Sequence, residues 1–241
     1  MTHLSGDERA QYVQGMFTRI AAHYDLMNRL MTFGQDTLWR KEVIRRAQLS
    51  EGKNLLLDLG GGTGDLGFEA LRQNSATRSV EADFTLEMLR IGQERAQSPH
   101  HPIDQSKISW SAADALHLSF PDNTFDAVVS GFLMRNVIDV PRALIEQLRV
   151  LKPGGRIVIL DTTRPRKNLL TPFVRFHMHI VIPLLGRLIS GQGEAYEYLP
   201  ASSEAFLSAE EMAAKMVAAG FAQVAFRRLN FSTIAIHWGV K

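Results

Sequence analysis

Asp58, Gly60, Gly61, Gly62, Gly64 and Asp65 fall within eight consecutive residues, directly after the apolar run Leu55-Leu56-Leu57. The run reads as a buried parallel strand, because helices on both faces of a parallel sheet demand continuous apolar sequence. Glycines without a Cβ let the chain turn sharply and let a ligand approach the backbone. With a helix expected over Asp65–Gln73, the ligand would sit at the carboxyl end of the strand, where open α/β sheets bind nucleotides and their relatives. Gly62–Gly67 matches G-x-G-x-x-G, yet it begins late after the strand and lies between two carboxylates. Asp58 and Asp65 would repel a pyrophosphate and would favour a cationic or amino-acid-bearing ligand. The competing reading is a glycine-rich turn with no ligand.

The pattern D-x-G-x-G-x-G, formed by Asp58, Gly60, Gly62 and Gly64, resembles the first motif of class I S-adenosylmethionine methyltransferases. That cofactor carries a sulfonium and an ammonium and no phosphate. Asp83 ends the next strand 25 positions after Asp58. It can accept both ribose hydroxyls; a helix N-cap is the bland alternative. Asp114 follows the third strand, where its carboxylate could accept the exocyclic amine of adenine while the Ala115 N–H meets a ring nitrogen. Ser130, at the end of the strand Phe125–Ser130, is expected to face the transferred methyl group. Asp126 is read as positional within a turn.

The elements that must position these groups alternate. Strands are expected at Ser79–Ala82, Ile108–Ser111, Phe125–Ser130 and Arg156–Leu160, with helices at Thr85–Ala96 and Pro141–Val150. Two closing strands, Gln223–Arg228 and Thr233–Trp238, read as antiparallel. Together they describe a doubly wound, mostly parallel α/β sheet of Rossmann-like type. Two segments fall outside the alternation: a helical cap over residues 1–50, and a helical insertion over 162–208 within the main domain, 51–241. The insertion carries an apolar helix, Leu170–Ile189, which Pro183 is expected to interrupt.

Bulk properties remove other classes. The 27 basic and 25 acidic residues nearly cancel, so the chain has no charge argument for nucleic acid. Without cysteine it has no disulfide or thiolate metal site, no metal is expected, and a reducing cytoplasm is the natural setting. The polar N-terminus lacks a signal-peptide pattern. No run of about 18 uninterrupted apolar residues suggests a membrane-crossing helix.

Further segments resemble one family, the quinone C-methyltransferases of ubiquinone and menaquinone biosynthesis, from about Phe17 to Lys241. They are Tyr24-Asp25-Leu26-Met27-Asn28 with Trp39, Pro121–Asp126, Arg135-Asn136-Val137, Arg149–Arg156, Tyr196–Pro200 and Ala235–Lys241. The resemblance implies a seven-stranded class I fold, S-adenosylmethionine as cofactor, and a lipophilic quinol as methyl acceptor. It points to Arg135 and Asn136 at the acceptor, with Tyr24 close by. Arg135 is read as a phenolate stabiliser or water positioner; an ion pair with Asp139 is the alternative. The chain departs from the family at Thr32, Asp36, Leu133, Asp161 and Thr163, positions expected near the acceptor pocket. That leaves room for a different phenolic acceptor, or for a cofactor-binding scaffold without turnover. A nicotinamide oxidoreductase is disfavoured by the acidic loop. His177, His179 and His237 are assigned no catalysis. The helix Leu170–Ile189, with Arg164, Arg166, Lys167, Arg175 and Arg187 around it, suits a lid, a homodimer helix or peripheral membrane contact.

Overall fold

The computed structural model describes residues 6–99, 103–164, 171–191 and 193–241. Helices α1 (Gly6–Ile20), α2 (Tyr24–Met31) and α3 (Gln35–Ala47) precede the sheet. Strand β1 (Asn54–Leu59), helix α4 (Asp65–Gln73), β2 (Thr77–Asp83), α5 (Leu86–Gln97) and β3 (Ile108–Ala112) form the first half. The second half runs β4 (Phe125–Gly131), α6 (Val140–Val150) and β5 (Leu151–Thr162). Helices α7 (Thr171–Phe176), α8 (Ile182–Ser190), α9 (Gly193–Ala205) and α10 (Ala209–Ala218) follow, then β6 (Ala222–Leu229) and β7 (Ile234–Val240).

The seven strands are ordered β3-β2-β1-β4-β5-β7-β6, with β7 antiparallel to both neighbours and the other pairings parallel. The order reverses between β1 and β4, which opens a crevice at their carboxyl ends. One face packs Leu57, Val128 and Ile157 against Leu144 of α6 and Met212 and Met216 of α10. The other packs Leu56, Val129 and Val158 against Trp39, Val43 and Ile44 of α3. Thus α3 is part of the sheet's covering layer, while α1 and α2 join α8 and α9 in a separate cluster around Met16, Met27 and Tyr196.

Asp126 is positional, as its turn suggested: it accepts the Leu55 N–H at 2.8 Å and pairs with Lys152 at 2.7 Å, tying β4 to the start of β1 and to β5. Pro183 does not interrupt its helix. A widened π-turn over His177–Val181 links α7 to α8, an arrangement that accommodates the missing N–H and the ring of Pro183 without ending the helix. The resulting helix includes Pro172–Ile189, 18 residues of mean hydropathy 1.2, enough by length and composition to cross a membrane. The sequence's lack of an unbroken apolar run had argued against such a helix. Arg166, Lys167 and Leu170 lie outside the described residues.

Candidate functional site

The crevice between β1 and β4 opens into a cavity of about 640 Å³. Its floor is the glycine loop together with Asp83, Asp114 and Ala115, and its roof is Ala10, Gln11, Val13, Gln14 and Phe17 of α1 with Tyr24 of α2. Two loop glycines are required by their surroundings. Gly60 has φ +70° and a Cβ there would lie 3.0 Å from the Leu133 side chain; Gly62 has φ +55° and a Cβ there would lie 3.2 Å from Met88. The amides of Gly60 and Gly61 both donate to the Ala82 carbonyl, at 2.7 and 3.1 Å, which folds the loop back over β2.

The carboxylates of the floor are held by different means. Asp83 accepts the Gly62 amide at 3.0 Å and the Thr85 amide at 2.7 Å. Burial raises its pKa while these backbone hydrogen bonds oppose the rise. It therefore braces both the glycine loop and the start of α5, where Thr85 is the N-cap. Asp114 accepts the Leu116 amide at 2.9 Å in a tight turn that presents Ala113–His117 to the cavity. Asp58 lines the floor at the end of β1, and its pKa is pushed up to about 7, chiefly by burial, with the charges of Asp83 and Asp65 adding to the rise.

Asp25, Asp65, Arg95 and Arg40 form an ion network that latches the cap onto the loop. Thr63 Oγ1 donates to Asp25 Oδ1 at 2.8 Å, and Arg95 reaches Asp25 at 2.7 Å, the Thr63 carbonyl at 2.9 Å and Asp65 at 2.8 Å. Arg40 bridges Asp65, at 3.1 Å, to the buried Asp36. Burial favours protonation of Asp65, but the charges of Arg40 and Arg95 prevail and hold its pKa below the usual carboxylate range. Asp25 goes the other way, raised by burial and by the Asp65 charge against the pull of Arg95. Sequence reasoning recognised Asp25 only inside a motif and passed over Arg95, whose partners are distant in the chain, and Arg40, which joins the nearby Asp36 to the distant Asp65. Gln14 of α1 adds a hydrogen bond to the Phe84 carbonyl at 2.9 Å.

Two of the expected site residues are elsewhere. Ser130 has no exposed surface and does not line the cavity, whereas its neighbours Gly131, Phe132 and Leu133 do. Alternation along β4 turns it into the sheet's packing. Arg135 is 4% exposed and lies outside the lining. Its guanidinium donates to Asp161 Oδ1 at 2.8 Å and its own amide to Asp161 Oδ2 at 3.1 Å. The short turn Met134–Asn136 buries Met134 and points Arg135 at the end of neighbouring β5. Asp139 is not its partner; that carboxylate caps α6 by accepting the Arg142 amide at 3.0 Å. Asn136 does line the cavity, accepting from the Tyr198 hydroxyl at 3.3 Å and donating to the Phe132 carbonyl at 3.2 Å.

Tyr24 lines the cavity roof with its phenol pKa raised by burial, opposed by the Arg135 charge. Of the departures from the family pattern only Leu133 reaches the cavity. Thr32 and Asp36 hydrogen-bond one another at 3.1 Å, and Thr163 is tied to the Leu207 carbonyl at 3.3 Å. His237 contacts the Ala209 carbonyl at 2.9 Å and burial lowers its pKa, a structural role. His177 and His179 meet Met31 and Glu204, at 3.1 and 3.0 Å.

The donor set suits a cation. Asp58, Asp65, Asp83 and Asp114 line the cavity, and the lining Arg40 is already engaged by Asp36 and Asp65. A glycine bed that no Cβ could share adds room for close backbone approach. Residues 5–241 match the model of the ubiE/COQ5 methyltransferase family. The chain belongs to that family. It is 44% identical over 229 residues to the ubiquinone/menaquinone biosynthesis C-methyltransferase UbiE of Desulfotalea psychrophila, covering 95% of this chain and 90% of that protein. It is 42% identical over 224 residues to the demethylmenaquinone methyltransferase of Thermus thermophilus, covering 93% and 99%. In fold it is similar to the [4+2]-cyclase SpnF, with a TM-score of 0.68 at 18% identity over 95% of this chain and 94% of that one. As a member of the family the chain is an S-adenosylmethionine-dependent methyltransferase with a class I fold.

Arg135→Ala is expected to destabilise the protein by about 3–5 kcal/mol in urea denaturation, because it strands Asp161 as an unpaired buried charge. Asp25→Ala is expected to leave the unfolding midpoint nearly unchanged and to weaken S-adenosylmethionine binding by about tenfold, read by calorimetric titration, since it unlatches the cap from the loop.

Proposed function

We propose that the protein transfers a methyl group from S-adenosylmethionine to a ring carbon of a lipophilic, prenylated quinol in quinone biosynthesis. The observation that carries this reading is one cavity that joins an acid-lined, glycine-bedded floor to a mostly apolar roof, in a chain of this family. The two relatives described above are named for quinone methylation, and the acceptor class comes from them. Asp58 is assigned to the cofactor's ammonium and Asp83 to its ribose hydroxyls. Asp114 and the Ala115 amide are assigned to the adenine edge, and Gly60 and Gly62 to close approach along the amino-acid chain.

When bound, the cofactor supplies an electrophilic methyl on a positively charged sulfur. The chain's own task is to hold a ring carbon in line with that bond and to exclude water, and positioning of this kind can supply much of the acceleration. Asn136 and Tyr24 line the acceptor side. With its pKa raised by burial, Tyr24 stays protonated near neutral pH and serves as a hydrogen-bond donor to the quinol oxygen, not as a base. Arg135 acts at a distance. Its pair with Asp161 fixes the turn that presents Asn136, and its charge favours an anionic oxygen developing near Tyr24. Leu133 supports a second reading, an altered acceptor, because its side chain occupies lining space that a glycine would leave open.

Incubation with methyl-labelled S-adenosylmethionine and a panel of demethylated quinols and unrelated phenols tests the acceptor. Label on a quinol ring carbon is expected; label on an oxygen or only on another phenol refutes the quinol assignment. Asp83→Ala is expected to weaken cofactor affinity by about ten- to a hundredfold through loss of charge-assisted hydrogen bonds. Unchanged affinity removes Asp83 from the cofactor site.

Membrane contact through the apolar insertion helix belongs to the same reading. Phe173, Phe176, Ile180, Leu184 and Leu188 are all exposed at helical spacing, with Arg175 and Arg187 beside them. An apolar stripe flanked by cations suits the interface of an anionic bilayer, where a prenylated acceptor would reside. The protein is expected to co-sediment with phosphatidylglycerol vesicles, and Phe176→Glu with Leu184→Glu to abolish this. Failure to bind vesicles together with a dimer in sedimentation velocity would assign the face to a second copy.

A further inference from the structure

Glu81 is a buried carboxyl for which the family reading has no use. It sits in the middle of β2, has no exposed surface, and stands directly opposite Asp58 of β1 in the parallel register. Register partners on adjacent strands project from the same face of the sheet, so the two side chains meet. Val129 and Trp110, their partners on the flanking strands, bring no charge. Asp58 Oδ1 and Glu81 Oε2 are both buried and neither has a conventional donor. Two buried carboxyls that face each other with no other donor cannot both be ionised, so Glu81, whose pKa is raised well above the usual carboxylate range chiefly by burial, is the one that keeps a proton and can donate to Asp58. Its other oxygen accepts from the Ser79 hydroxyl.

The glycine loop and α4 leave space for this pair. A Cβ at Gly61 would stand 2.9 Å from Glu81 Oε2, and a Cβ at Gly67 would overlap Glu81 Oε1. Gly67 lies inside α4, where glycine destabilises a helix relative to alanine. It is explained by the carboxyl that occupies its side-chain volume. Glu81 is thus enclosed by Asp58, Ser79, Gly61 and Gly67, directly beneath the loop that forms the cavity floor.

We propose that Glu81 is a positioning residue that keeps its own proton and donates it to Asp58 beneath the glycine loop, so that binding of the cofactor's ammonium ionises Asp58 and releases the Asp58 proton to solvent. The inference rests on the assignment of Asp58 to the cofactor's amino-acid end. The charged groups facing the pair are Asp83 at the end of β2, Asp65 on α4 and Arg40 on α3. Burial and the two aspartates hold a proton on Asp58, and the Glu81 donor and Arg40 oppose it. The sign follows. At acid pH both carboxyls are neutral and Asp58 offers the ammonium no charge; as pH rises through about 7, Asp58 ionises and affinity rises.

Calorimetric titration of the wild-type protein with S-adenosylmethionine, in buffers of different ionisation enthalpy, counts the proton. Near pH 6.5 roughly one proton should leave per cofactor bound, and affinity should rise about tenfold from about pH 6 to about pH 8. Glu81→Gln keeps a donor to Asp58, so proton release and the rise of affinity with pH should both persist. Glu81→Leu removes the donor, so Asp58 should hold its proton to higher pH and the rise in affinity should move up by about one pH unit, a shift that the glutamine variant does not share. Wild-type binding with pH-independent affinity and no proton release overturns the inference alone, whether or not the variants fold. So does a folded leucine variant that keeps the wild-type pH profile. Absence of binding at any pH overturns the cofactor assignment and the inference with it.

Discussion

A carboxylate taken out of water must be matched by a cation, by amide hydrogens or by a proton, and the organisation of this protein follows from how it meets that demand at one end of its sheet. Asp65 is matched by Arg40 and Arg95, and Asp161 by Arg135. Asp83 is held by two backbone amides, while Asp58 hydrogen-bonds with the protonated Glu81. These solutions differ in what they leave available. The paired groups are satisfied internally and act as struts. Asp83 still has lone pairs for hydroxyls, and Asp58 is the one whose charge a ligand can call up. A single acidic crevice therefore divides into a rigid frame and a responsive pair.

The frame also explains how an apolar roof stays over a charged floor. Helices α1 and α2 pack on α8 and α9 through Met16, Met27 and Tyr196, a cluster separate from the cores on the sheet's two faces. Nothing in that cluster would fix the cap's height above the glycine loop. The Asp25 contacts do so, since Asp25 grips Thr63 within the loop and Arg95 joins both to Asp65 at the start of α4. On the acceptor side Tyr198 of α9 reaches Asn136, so cap and insertion both meet the residues that follow β4. The enclosure is built from long-range polar contacts laid over local apolar packing.

That division separates what the sequence revealed from what it concealed. The strands and helices of the alternating fold were legible, down to the antiparallel final pair, because apolar continuity and helical spacing are local signals. Asp58, Gly60, Gly62, Asp83, Asp114 and Ala115 were legible as a group, because strand ends are local too, and all of them line the cavity. Ser130 and Arg135 show where such reasoning stops. A position after a strand does not reveal which way the side chain turns, and Arg135 turns to a carboxylate 26 residues later. Arg95 had no signal at all, since its helix spacing matched an ordinary solvated arginine. Pro183 misled because a widened turn absorbs the ring, an option that proline's usual effect on a helix conceals.

The same geometry narrows the question of acceptor choice. The departures at Thr32, Asp36, Asp161 and Thr163 suggested a broadly altered pocket, yet their side chains bond to one another, to Arg135, to Arg40 or to backbone, away from the cavity. Asp161 touches the acceptor problem only through the turn Met134–Asn136, which it anchors by both the amide and the guanidinium of Arg135. Leu133 alone presents a changed surface to the ligand, and it does so at the point where the glycine loop and the end of β4 approach each other. Bulk at that seam narrows the cavity between the glycine loop and the end of β4, where a Cβ at Gly60 would already lie 3.0 Å from the Leu133 side chain. A changed acceptor would therefore have to be read at that seam, since no other departure presents a side chain to the cavity.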